Sequence, residues 1–203
     1  MWCSTRSRAE RALAIGLVLA GLHAAAPASQ GVAGSPAGPS AAAGAATHPQ
    51  LPGSRLQGQA TLRYWGMRVY QARLWTQPDF RADKAAEQPL ALELRYLLDL
   101  GGSAIAERSL QEMRRAGPIS AERAERWLAA MQRLFPDIKS GERLTGVLQP
   151  GQGVSFWHND RQIGQIADAE FARLFFGIWL APTTSEPDMR LALLGLQDPS
   201  GKR

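Results

Sequence analysis

Three phenols and two guanidiniums carry the polar chemistry that this chain could direct at a small molecule. Its 203 residues include three tyrosines, Tyr64, Tyr70 and Tyr96. Arg55 and Arg63 share a stretch with the first of them. A buried phenol needs a partner for its hydroxyl, and tyrosines gathered on one inner face can share a trapped water or the polar head of a bound molecule. An arginine at a strand end adds the charge that a carboxylate head requires. The plainer alternative is that each hydroxyl meets a backbone carbonyl and the rings are core. Tyr64, Tyr70, Tyr96, Arg63 and Arg55 are therefore the candidate ligand-binding set, for a small apolar or aromatic acid.

Other chemistries find few residues to carry them. The one cysteine, Cys3, lies at the extreme N-terminus, so the rest of the chain has no thiol nucleophile, disulfide or Cys–metal site. His48 falls in a tether and His158 in a turn, which leaves no histidine held beside a serine as a hydrolytic triad demands. Three or four clustered His, Cys or carboxylate ligands are absent from the pattern, so no metal is expected. Gly151-Gln152-Gly153 has neither a third glycine nor a following helix, and reads as a turn rather than a phosphate cradle. No cofactor is expected, and Asp137 and Glu142 read as solvated surface.

The elements that must position the candidate residues follow from periodicity. Residues 55–65 and 67–75 alternate around Gly66 and predict two strands. Val69, Gln71, Arg73 and Trp75 take one face of the second, and Tyr70, Ala72 and Leu74 the other. Pro89 to Leu98 predicts a third strand, with Leu90, Leu92, Leu94, Tyr96 and Leu98 inward and Glu93 and Arg95 outward. Parity cannot be carried through Gly66, so the side taken by Tyr64 stays open. Two helices follow, Ser103 to Arg115 and Ser120 to Phe135, each opening on a serine cap. Their Glu and Arg residues read as a solvated face with i,i+3 and i,i+4 pairs. Short strands are predicted at 143–148, 153–157 and 162–166, the last two joined by a turn at His158-Asn159-Asp160. Phe171, Leu174, Phe175, Ile178 and Trp179 recur at helical spacing, with Asp168 as cap and Pro182 as stop. Phe176 and Leu180 widen that stripe until the helix must be buried on most sides, so it is the central element. A last helix runs from Pro187 to Leu194 and ends at Gly195. Hairpin-linked strands and helices in blocks predict an α+β fold: a large antiparallel sheet with a layer of helices on one face.

The ends read differently from the middle. In residues 1–28, Arg6, Arg8 and Arg11 precede the apolar run Ala12 to Leu22, and Ala26-Pro27-Ala28 fits a signal-peptidase site. The run is too short to span a bilayer. A secretory signal is the expectation, with an uncleaved amphipathic anchor as the alternative. Residues 29–49 are rich in Ala, Gly, Ser and Pro and predict a flexible tether. Residues 50–197 make one domain, and 198–203 a disordered tail. The net charge of +5 is interspersed rather than clustered, which does not suit a nucleic-acid partner. No transmembrane segment is expected after signal cleavage, and no protein partner can be named.

Several short motifs, in order, bring a family into view. Residues 64–75 (YWGMRVYQARLW) resemble the strand pair of chalcone-isomerase-like proteins. The Leu94-Arg95-Tyr96 strand follows, then Ile105-Ala106-Glu107-Arg108, Phe135-Pro136-Asp137 and Gly141-Glu142-Arg143-Leu144. Last come Phe175-Phe176-Gly177-Ile178-Trp179-Leu180 and Leu193-Leu194-Gly195. The chain is similar to the bacterial, exported branch of that family over residues 50–197. The resemblance implies an antiparallel sheet, a helical layer and a ligand cleft between them. It also implies closure of a chalcone to a flavanone, for which the plant enzymes supply an Arg, a Thr, a Tyr and an Asn. Here Trp65 falls at the Thr, Ile105 at the Tyr and Glu112 at the Asn, and Arg55 supplies the Arg only with a shifted gap. Losing those donors removes the stabilisation that the developing enolate needs.

The expected function is thus an exported, non-catalytic domain holding a fatty-acid-like or aromatic acid between sheet and helices. An isomerase of the intramolecular lyase type, and a structural or protein-interaction domain with a filled cleft, are the alternatives. Periplasmic or secreted placement makes a direct prediction. Mass spectrometry of the natively expressed protein should find an N-terminus near Ser29, whereas an intact Met1 in the soluble cytoplasmic fraction would overturn it.

Overall fold

Hairpins build the sheet strand by strand. The computed structural model describes residues 47–197; the expected signal at 1–28, the tether up to residue 46 and the tail at 198–203 lie outside the described residues. The strands are β1 (Arg55–Tyr64), β2 (Met67–Thr76), β3 (Leu90–Tyr96), β4 (Arg143–Gln149), β5 (Gly153–His158) and β6 (Arg161–Ile166). They form one antiparallel sheet of six strands in chain order. Four of the five connections are short enough for nearest-neighbour pairing. The long one, between β3 and β4, carries helices α1 (Gly102–Ala116) and α2 (Ala121–Leu134). Helices α3 (Ala169–Leu180) and α4 (Pro187–Leu194) follow β6. The α+β reading holds, with the helices against the sheet face that carries Ala72, Leu74, Leu92, Leu94 and Phe156.

Helix α3 is the centre of the core. Every residue from Phe171 to Leu180 is buried except Arg173. Phe175 touches the rings of Phe135, Phe156, Phe171, Phe176 and Trp179, at centroid distances of 5.3 to 6.4 Å. Helix α1 crosses α3 closely enough that a Cβ on Gly177 would lie 2.8 Å from that of Ala116. Asp168 caps α3, accepting from Glu170 N–H at 2.9 Å and Phe171 N–H at 3.0 Å. Its other oxygen accepts from the Trp127 indole N–H at 2.9 Å, which ties the start of α3 to α2.

Some local expectations change. Ser103 does not cap α1; Gly101 occupies the cap position with no side chain to offer, and the Gly102 N–H instead donates to Asp137 Oδ1 at 2.9 Å. Strand β3 stops at Tyr96, so Leu98 lies beyond the pleat that was to turn it inward. A short 3-10 segment, Ala82–Glu87, fills the β2–β3 connection. His158 ends β5 rather than opening the turn, and Asn159 takes the left-handed φ of 54°. His48 is not tether. It is buried on the back of the sheet, tilted over Trp75 at 5.6 Å, and its backbone N–H donates to Ser54 Oγ at 3.1 Å. Leu51, Trp75, Ala91 and Val147 make a second, small core there. Glu93 lies beside them, 3.6 Å from Arg143, 3.7 Å from Arg73 and 3.9 Å from His48. Burial, and then the Arg143 charge, lower the imidazole pKa of His48.

Two predictions follow from α3. Phe175→Ala should cost about 3–5 kcal/mol in urea melts, as aromatic truncations in packed cores do; a loss under about 1 kcal/mol would mean the helix is not the centre of the core. Asp168→Ala should cost about 0.5–2 kcal/mol, the range for lost caps. Burial pushes the Asp168 carboxyl up, but the Phe171 amide, the Trp127 indole and the Glu170 amide outweigh it and the net shift is down. A depressed carboxyl stabilises the fold above its ordinary range and ceases to do so as pH falls through the folded value. Asp168→Asn keeps an acceptor without a charge, so its stability should fall less than wild type on acidification.

Candidate functional site

Register brings two of the three tyrosines together. Tyr70 on β2 stands directly opposite Tyr96 on β3, on the face turned to the helices. Their rings meet edge to face at 5.7 Å. The Trp179 indole N–H of α3 donates to the Tyr70 hydroxyl at 2.9 Å, closing the sheet onto the central helix. Tyr96 is 3% exposed, while Tyr70 keeps part of its side chain at the surface. Burial is the main cause of the Tyr70 phenol being pushed up to about 12; the bond from Trp179 opposes it, and the carboxylates of Glu186 and Glu112 add to it. Burial also raises Tyr96, with Tyr70 adding to it. Both hydroxyls are therefore neutral donors at physiological pH.

A charged cluster borders this pair. Glu112 of α1 is only 7% exposed. It accepts from Arg108 at 2.8 Å, from Arg115 at 3.1 Å and from the Ser185 hydroxyl at 2.9 Å. Glu186 lies close by, its carboxyl raised first by burial and then by Glu112. The i,i+3 and i,i+4 pairs expected on α1 are present, but they do not sit on a fully solvated face. Glu112 follows Ile105 by seven residues, and Ile105, Ala106, Ser109 and Met113 are buried on the same side. That spacing marked Glu112 as inward-facing, and the charge pattern concealed it.

The other candidates are placed elsewhere. Tyr64 is 42% exposed at the end of β1, with its ring beside that of Trp65. Arg63 lines an open groove of about 370 Å³ between β1 and α4, with Gln59, Thr61, Glu186 and Met189. Arg55 opens β1, paired with Thr76, eight residues from Arg63. At strand rise that is roughly 26 Å, too far for the two arginines to serve one small ligand together. His158 faces the Glu142 carboxylate at 3.1 Å. Among the described residues no group of three or more His, Cys, Asp or Glu could hold a metal ion, and no helix is long and apolar enough to cross a membrane.

The seam between sheet and helices is thus apolar and aromatic, with one neutral polar pair at Tyr70–Trp179 and one ion cluster at Glu112. Known proteins place this arrangement. Residues 49–195 match the family model described as chalcone isomerase-like. An uncharacterized protein of Haemophilus influenzae is 30% identical over 132 residues, which is 64% of this chain and 63% of that one. The match therefore spans less than two thirds of that relative. The crystal structure of a fatty-acid binding protein of Arabidopsis thaliana shares the fold, with a TM-score of 0.57 at 11% identity, over 73% of this chain and 95% of that chain. With the six-stranded sheet, its single helical layer and a family match over nearly the whole described region, the chain belongs to the chalcone isomerase-like family.

Proposed function

We propose that this domain binds rather than transforms, holding a small apolar acid, fatty-acid-like or aromatic, in the seam where Tyr70 and Tyr96 meet α1 and α3. The observation that carries the reading is the fate of the positions where the family's plant enzymes supply donors. Ile105 is apolar and buried. Glu112 is a carboxylate already occupied by three partners. Trp65 is at the hairpin tip, 79% exposed. An enolate developing in this seam would not find donors at those three positions, and donors so placed supply much of the stabilisation in reactions of this kind.

Several features support an acid of apolar body. Leu94, Tyr96, Ile105 and Phe175, packed together in the core beside Tyr70, are the apolar surfaces that a chain or ring would have to part and line. The Tyr70 and Tyr96 hydroxyls stay protonated and can donate to a carboxylate. Arg108 and Arg115 both pair with Glu112 and remain partly exposed, so they stand at the border of the seam within reach of a second carboxylate. The Arabidopsis neighbour in fold is described as a fatty-acid binding protein. The proposal includes export: a leader at residues 1–28, expected from the sequence, would carry such a protein to the periplasm or beyond.

One observation favours a second reading. Trp179 and Tyr70 meet directly, and Tyr96, Phe175 and Trp179 are nearly sealed. A seam filled by its own side chains would make the domain structural.

Titration separates the readings. Delipidated protein is mixed with saturated fatty acids, aromatic acids and the matching alcohols, and tryptophan emission is followed. Acids should bind below millimolar and more tightly than the alcohols. Tyr70→Phe should weaken them by roughly 0.5–1.5 kcal/mol, one hydrogen bond. A hydroxychalcone should cyclise at close to its buffer rate; acceleration beyond about a hundredfold would restore the isomerase, since one donor can be worth that much. If no acid binds, the filled-seam reading stands instead.

A further inference from the structure

The β1–β2 hairpin runs on past the sheet. β2 pairs with β3 only from Tyr70↔Tyr96 inward, with one further bond from Leu97 N–H to the Val69 carbonyl. β1 and β2 continue outward through Arg63↔Arg68 to Tyr64↔Met67. The turn, Trp65-Gly66, therefore stands on the order of 10 Å beyond the last full rung.

Three features in these six residues work against the fold. Trp65 and Gly66 have φ of 50° and 79°. Both positive values belong to the hairpin turn that favours Asn-Gly or Asp-Gly, and tryptophan is a costly first residue there. Trp65 is 79% exposed, Tyr64 42% and Met67 56%, the most apolar surface gathered at any point among the described residues. Arg63 stands opposite Arg68, a like-charge pair that weakens strand pairing. Local rules broken together at one place mark a site selected for something other than stability.

We propose that this tip docks the domain on an anionic lipid surface. Trp65, Tyr64 and Met67 enter the boundary between headgroups and acyl chains, where amphipathic rings prefer to sit. Arg63 and Arg68, one on each strand, reach lipid phosphates at the level of the headgroups. The projection matches the roughly 5–10 Å that interfacial elements bury. The three apolar side chains present on the order of 300–400 Å². That is half or less of the about 800 Å² a partner contributes to a stable protein interface, but enough to enter a lipid boundary. Carboxylates of Glu186 and Asp188 line the groove behind Arg63, not the tip. Tyr70 lies only three residues along β2 from Met67, so a docked tip holds the mouth of the seam close to the lipid. The docking itself rests on the tip alone and does not require that the seam bind anything.

The test is co-sedimentation of the full chain with vesicles of phosphatidylcholine, with and without phosphatidylglycerol. Variants differ from wild type only at the tip, so any contribution from the rest of the chain cancels. Trp65→Asn is the informative change: it creates Asn-Gly, which suits the turn, so melting temperature should hold or rise while vesicle partitioning falls roughly tenfold or more. Arg63→Gln with Arg68→Gln should remove roughly tenfold of the preference for anionic vesicles and its salt dependence. Brominated lipids should quench emission in wild type that is missing in Trp65→Asn. Equal sedimentation of wild type and Trp65→Asn overturns the proposal. So does a dimer on gel filtration that tip variants split, because the tip would then be a self-association surface.

Discussion

A helix that is apolar on nearly every side can exist in water only if other elements enclose it, and α3 imposes that condition on everything around it. The sheet supplies one wall, with Phe156 set against Phe171 and Phe175. Helices α1 and α2 supply the others, the first by a crossing that only glycine at 177 permits and the second through the Trp127–Asp168 bond. Asp168 thus satisfies the first amides of the buried helix and fixes its neighbour with one carboxylate. A buried helix end without such partners would be costly. Order in the helical layer follows from that one residue and the ring cluster above it.

The same enclosure decides where a ligand can go. Trp179 lies one turn beyond Phe175, and its indole reaches the Tyr70 hydroxyl at the end of the sheet. Helix α3 therefore grades along its length, from a dry aromatic cluster to a polar contact bordered by Glu112, Arg108 and Arg115. Glu112 is the buried member of that charged cluster, and removing both arginines would leave its carboxylate buried and unpaired.

Much of this was legible in the sequence, because parity and helical spacing are local. The inward set Tyr70, Ala72, Leu74, Leu92, Leu94 and Tyr96 follows from alternation, and the burial of α3 from its apolar width. The order of short motifs carried the family. What could not be read depends on contacts between distant segments. The side taken by Tyr64 was hidden because a register shift between Leu62 and Arg63 precedes the hairpin turn, and alternation says nothing across such a shift. Ser103 looked like a helix cap, but the first amide is that of Gly102, and it is taken by Asp137, 35 residues further along the chain. Glu112 was masked by flanking arginines, although its spacing from Ile105 pointed inward. His48 sat in a stretch whose composition announced a tether.

His48 has a further meaning for how the domain is held. Its side chain is buried against Trp75 and its backbone is bonded to Ser54, both on the back of the sheet, while the seam opens on the front. The sheet is a partition. At His48 the chain is packed on a small separate core of Leu51, Trp75, Ala91 and Val147. That core lies on the face opposite α3, Tyr70 and Tyr96. With its first described residues fixed to the back of the sheet, the domain leaves its front face and its leading hairpin uncovered by that stretch.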